Sequence, residues 1–330
     1  MLRKLIFVLL FAATLFVGAA PAQAAVYAAA TTPDLASVLK AVGGNTVTVV
    51  SLTTSAQDPH AVSATGPMLE PLHQTDLLVV NGMDLESGWL PILLVAAHNS
   101  KIQPGQRGYL DCSEFVPSTD AVANLETGMG AYHPDGNPHY MTDPRRAIEV
   151  AHGIAARLGE IDLPHAEYYR ENAAEFAARL EDAMAAWNRQ LAPYRGTKAI
   201  TYHRSFTYLF DYLGWVDVVN IVAQVNEGYR LSYREGWVDV TNPLPRPGLP
   251  PDSARLDEVI ADGRRDSVRL LLIEPFYPHM AAELVANGVG ARLVDFLPAV
   301  RFENGETYLE RFERNMTRLE QAAQAAAAEK

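Results

Sequence analysis

The chain has 330 residues, of which 48% are hydrophobic and 20% charged, and its 39 acidic against 27 basic residues give a formal net charge of −12. That acidity argues against nucleic acid and anionic membrane surfaces as partners. The single cysteine, Cys112, excludes an intramolecular disulfide, so stability must come from apolar cores, of which a chain this long can build two.

The first residues read as a secretory signal. "MLRK" is basic, "LIFVLLFAATLFVGAA" is an apolar stretch, and "PAQA" is a small-residue cleavage pattern ending at Ala24. The apolar run is shorter than the ~20 residues a membrane span needs. We therefore expect residues 1–24 to be removed and the remainder to work in the periplasm. No cysteine stands at the cleavage site, so no lipid anchor is expected. Loss of Arg3 and Lys4 leaves 25 basic against 39 acidic residues, a charge of −14, which suits a cationic ligand.

Short apolar runs then alternate with helical patterns. Strands are predicted in "VYAAAT", "TVTVVSL", "DLLVVNG" and "GYLDCSEF". Helices are predicted in "PDLASVLKAVG", "GPMLEPLHQT" and "LESGWLPILLVAAH". This alternation predicts a mostly parallel sheet flanked by helices. Residues 117–138 read as a loop, after which "DPRRAIEVAHGIAARLGEI" opens a helix with Asp143 as N-cap and Pro144 in its first turn.

Residues 164–194 have no glycine and are rich in strong helix formers, which predicts one rod of ~45 Å. The alternation restarts beyond it with strand "KAITYH", helix "RSFTYLFDYLG" and strand "WVDVVN". Later come helix "SARLDEVIADGRR", strand "VRLLLIEP", helix "PHMAAELVANG", strand "ARLVDF" and a terminal helix from Thr307. The expected fold class is α/β, with two lobes joined by one long rigid helix. The first lobe spans 25–162, the linking helix 163–195 and the second lobe 196–330. One oddity is that "GWVDVVN" (214–220) recurs as "GWVDVTN" (236–242), which suggests a local duplication whose intervening segment forms a hairpin or flap.

Three of the nine histidines share a setting. His60 and His139 lie in loops that precede helices, and His203 ends a strand just before a helix. Ligands of open α/β sheets gather outside the carboxyl ends of the strands. Imidazole is a preferred zinc ligand, and a tetrahedral site needs three or four donors. A fourth donor is expected from the second lobe, where Asp295 in "RLVDFLP" and Glu274 in "LLLIEPF" both end strands. His73, His98, His152, His165 and His279 lie in or at the ends of predicted helices and read as surface or structural residues. His133, in the loop, is intermediate.

The segments "DPHAVSATGPMLEPLHQTDLLVVNGMDLE", "GNPHYMTDPRRAIEVAHGIAARL" and "YHRSFTYLFDYLGW", in this order, resemble the substrate-binding proteins of metal-uptake ABC transporters, especially the periplasmic zinc-binding type. The resemblance covers almost all of the chain after the signal. It implies two α/β lobes with metal bound between them, His60, His139 and His203 as ligands, and Asp295 ahead of Glu274 as the fourth. It further implies Zn²⁺ as cargo rather than Mn²⁺, a membrane permease as partner, a monomer, and no chemical turnover. Two features depart from that pattern: residues 117–138 contain one histidine, and the 22-residue duplication is extra. The competing class is a zinc-dependent hydrolase with an open coordination position, for which no H-E-x-x-H helix or nucleophile elbow is present.

Overall fold

The computed structural model describes residues 26–119, 135–220 and 251–328. The signal segment, His133, the second copy of the duplicated heptapeptide and the stretch before it lie outside the described residues.

Two four-stranded sheets organise the described residues. The first contains β1 (Val26–Ala30), β2 (Val47–Ser51), β3 (Leu77–Val80) and β4 (Tyr109–Asp111) in the order β2-β1-β3-β4. The second contains β5 (Lys198–Thr201), β6 (Val216–Asn220), β7 (Leu270–Ile273) and β8 (Arg292–Asp295) in the order β6-β5-β7-β8. Every strand pair is parallel, so the expected class holds. The inner strands β3 ("LLVV") and β7 ("LLLI") are buried at all four positions. Parallel strands covered on both faces need such unbroken apolar runs. The two orders are the same, so each sheet has its crossover switch between the first and third strands, where α/β folds place ligands.

The helices begin where local chemistry starts them. In α1 (Pro33–Gly43), Thr32 caps the Leu35 amide and Pro33 fills the first position. Helices α2 (Gly66–Leu72) and α3 (Leu90–Ala97) follow. Helix α4 (Pro144–Ile161) has Asp143 as its cap, accepting from the Arg145 amide at 2.9 Å, as expected. The linking rod is α5 (Ala166–Leu191), with single 3-10 turns at Leu163–His165 and Ala192–Tyr194. It is shorter than the predicted helix because Pro164 and Pro193 restrict the backbone near its two ends. Its buried face carries Tyr169, Ala173, Leu180, Trp187 and Leu191.

In the second half, α6 (Thr207–Leu213) follows β5, α7 (Ser253–Arg265) precedes β7, α8 (His279–Val289) precedes β8, and α9 (Tyr308–Ala328) ends the described chain. Two features differ from the sequence expectation. The strand expected over 108–115 stops at Asp111, whose carboxylate accepts from the Ser113 amide at 2.9 Å and turns the chain into a 3-10 helix, Cys112–Phe115. Helix α9 covers β7 and β8 but also packs on α5 and α1, so it reaches back to the first sheet.

One hydrophobic cluster runs through both halves. It includes Ala28, Leu35, Val79 and Ile154 of the first, Phe206, Leu272 and Phe296 of the second, and Tyr169, Trp187 and Phe312 between them. Smaller clusters fill the outer face of each sheet, one under α2 and α3 and one under α7 and α8.

Candidate metal centre

Three histidines meet at the carboxyl ends of the strands. His60, His139 and His203 each offer a ring nitrogen, and these atoms lie within 4.8 Å of one another. Their ring centres form a nearly equilateral triangle, with sides of 5.0, 5.1 and 5.3 Å. Nε2 of His139 and Nε2 of His203 are 3.3 Å apart. Two nitrogens each ~2.05 Å from one tetrahedral zinc ion are also ~3.3 Å apart. The spacing fits two donors aimed at a common cation.

Each ring is oriented by a different part of the chain. His60 sits in the loop between β2 and α2. Asp58 Oδ1 accepts from the His60 amide at 3.0 Å and faces its Nδ1 at 2.7 Å, and Trp89 Nε1 holds the Pro59 carbonyl at 3.1 Å. His139 opens a short 3-10 turn, His139–Thr142. Asn137 accepts from its amide at 3.0 Å, and Asn81 Nδ2 donates to the Pro138 carbonyl at 3.0 Å. Asn137 Nδ2 also donates across to the Arg204 carbonyl at 2.9 Å, tying the His139 turn to the segment just after His203. His203 follows β5 and is 2% exposed, with Tyr277 tilted beside it at 6.0 Å.

Electrostatics favour neutral imidazole at the deepest position. Burial, aided by nearby His60, drives the His203 pKa down to about 3. Burial would raise the Asp58 carboxyl, but its hydrogen bond to His60 and the His60 charge outweigh that and hold it below its ordinary value. Neutral rings can coordinate without first shedding a proton.

The structure does not bring Asp295 to the three histidines. It ends β8, but its side chain is 51% exposed and pairs with His279 Nε2 at 2.8 Å. Side chains alternate across a strand. The neighbouring Val294 and Phe296 are buried, so Asp295 points the other way. Glu274, at the end of β7, is 2% exposed and lines a cavity of about 80 Å³ together with His139, Asp34 and Phe296. Burial pushes its pKa up to about 8. It too is absent from the group of ligand atoms around the three histidines.

The remaining described histidines have other partners or places. His73 Nδ1 faces the Ala97 carbonyl at 2.8 Å, His165 pairs with Asp162 at 2.7 Å, His98 caps α3, and His152 lies on α4. Asp58 was missed by the sequence reading. The signal was present in "DPH", where a carboxylate two residues before a histidine can hold both its amide and its ring.

The fold and chain have measurable relatives. The crystal structure of ZnuA matches with a TM-score of 0.70 at 19% identity, covering 91% of this chain and 99% of that one. The P. aeruginosa protein FpvC in complex with Ni²⁺ matches with a TM-score of 0.71 at 19% identity, covering 91% and 97%. These show the two-lobed fold. Among curated proteins, the metal ABC transporter substrate-binding lipoprotein SloC of Streptococcus mutans is 28% identical over 155 residues, 46% of this chain and 47% of SloC. The zinc-binding lipoprotein AdcA of Streptococcus pneumoniae is 22% identical over 291 residues, 86% of this chain and 52% of AdcA. The chain thus spans about half the length of these two relatives. The iron-binding protein YfeA of Yersinia pestis is 25% identical over 182 residues, 54% of this chain and 53% of YfeA. The family described as zinc-uptake complex component A, periplasmic (ZnuA), matches residues 29–322, and the chain belongs to that family.

Proposed function

We propose that this protein is the periplasmic binding component of a metal ABC importer, capturing Zn²⁺ as cargo between its lobes and handing it to the membrane permease as a monomer. The observation that carries this reading is the convergence of His60, His139 and His203 on one point. Three imidazoles favour zinc over manganese, which prefers oxygen donors. Relatives named for iron or manganese make the metal itself the first thing to measure. In this reading residues 1–24 direct export, residues 25–162 and 196–330 form the lobes, and the three histidines bind the cargo. Solvent or a shifted Glu274 completes the coordination. Untagged protein titrated calorimetrically with Zn²⁺, Mn²⁺ and Fe²⁺ tests it. One tight Zn²⁺ site is expected; a preference for Mn²⁺ or no binding would overturn the assignment.

One observation supports a second reading. Among the described residues no carboxylate joins the three histidines, and three protein ligands plus water is the donor set of many catalytic zinc sites. Zinc-dependent hydrolysis of activated esters, abolished by His203→Ala, would establish it. Family membership favours transport.

A further inference from the structure

The turn that carries His139 is gripped by the helix at the far end of the chain. Met141, two residues after His139, offers its carbonyl to two donors from α9: Tyr308 Oη at 2.9 Å and Arg311 Nη2 at 3.4 Å. The same Arg311 nitrogen donates to Asp34 Oδ2 at 2.8 Å, and Arg311 Nη1 donates to the Leu297 carbonyl at 3.1 Å. Asp34 Oδ1 accepts from the Val300 amide at 2.9 Å. Four segments therefore meet at one guanidinium: the start of α1, the His139 turn, the loop after β8, and α9 itself.

Tyr308 and Arg311 are both 0% exposed. A buried arginine is a poor way to gain stability, because the cost of desolvation roughly cancels what its partners return, and an apolar side chain of similar volume often does as well. What the guanidinium adds is direction. Its planar fork holds several acceptors at set angles. Here the fork is itself clamped between rings, with Arg311 lying 5.0 Å from the Tyr308 centroid and 5.3 Å from that of Phe312. Two of its acceptors are main-chain carbonyls, and one of those belongs to the ligand-bearing turn.

We infer that Tyr308 and Arg311 are positioning residues for the metal. They fix the Met141 carbonyl, and through this one-turn helix they fix the direction in which His139 presents Nε2 toward His203. The inference rests on the metal-binding reading above. Its structural logic is a turn held from both sides. Thr142 Oγ1 and Asn137 Nδ2 tie the turn to the Ser205 and Arg204 carbonyls beside His203, and α9 holds it from behind. These ties and the grip of α9 bear on the 3.3 Å separation of the two Nε2 atoms. Donors held in the binding geometry gain affinity because less ordering cost remains to be met on binding.

Tyr308→Phe removes one hydroxyl and keeps the ring. The expected result is zinc release to a chelator that is faster by roughly fivefold, the value of one net hydrogen bond. The visible absorption of the Co²⁺-loaded protein should change, and amide exchange across 139–143 should accelerate. Tyr169→Phe, on the linking helix, is the control. It removes a 2.6 Å bond to Asp162, outside the Arg311 clamp, and should lower the melting temperature while leaving release and the cobalt spectrum unchanged. Wild-type release and spectrum in Tyr308→Phe, alongside loss of zinc in His139→Ala, would refute the positioning role and leave the metal reading standing. Equal changes in Tyr169→Phe and Tyr308→Phe would reduce the effect to general loosening and also refute it. Wild-type affinity in His139→Ala would overturn the metal reading, and this inference with it.

Discussion

Asp58 holds His60 by two atoms at once, accepting from its backbone amide at 3.0 Å and facing its Nδ1 at 2.7 Å. A carboxylate next to Nδ1 requires that nitrogen to carry the proton, which leaves Nε2 as the lone-pair donor. Asp58→Ala should weaken zinc binding by about 10- to 100-fold, the usual effect of losing an orienting partner. Calorimetric competition with a chelator measures it, and wild-type affinity would remove Asp58 from the site.

His60→Ala, His139→Ala and His203→Ala should each cost more than the roughly hundredfold expected for an orienting partner. His73→Ala and His165→Ala should leave affinity unchanged, because their rings engage the Ala97 carbonyl and Asp162 instead. The same titrations check all five variants, and an unchanged value in any of the first three would exclude that residue.

Asp295→Ala should not alter zinc affinity. Its carboxylate raises the His279 pKa through their hydrogen bond, so the variant should lower the His279 titration seen by NMR. A large loss of zinc binding would instead show that β8 turns Asp295 inward when metal binds.

Glu274 makes stability depend on pH. Burial raises its pKa from 4.5 to about 8 in the folded state, so the native protein holds a proton that the unfolded chain gives up. The stabilising contribution is complete below pH 4.5 and is lost as pH rises toward 8. Glu274→Gln keeps the neutral shape. Metal-free Glu274→Gln should match the wild type near pH 4.5 and melt higher at pH 8, by roughly 5 °C. Differential scanning calorimetry at both pH values provides the check.

Much of this fold was legible because its signals are local. Helix α1 begins and ends where Pro33 and Gly43 predict, and α7 fills 253–265 as its pattern indicates. The three histidines stand out in the sequence because each precedes a helix, His60 and His139 from loops and His203 from a strand end. The outward placement of Asp295 could not be read from the sequence, because period two in a strand does not say which face is the cleft and a one-residue shift exchanges Asp295 with Phe296. The contact between Asp34 and Arg311 joins residues 277 positions apart. No periodicity or spacing encodes such a pairing; it exists only after both sheets and α9 have packed.

The apolar cluster shared by the two halves has a thermodynamic consequence. Neither sheet owns a complete interior, since Leu35, Phe206, Trp187 and Phe312 belong to one continuous packing. Separating the lobes would expose part of that interior, so melting one lobe destabilises the other. Heating the metal-free protein should therefore give a single calorimetric transition whose van't Hoff and calorimetric enthalpies agree, although chains with two sheets commonly melt in steps.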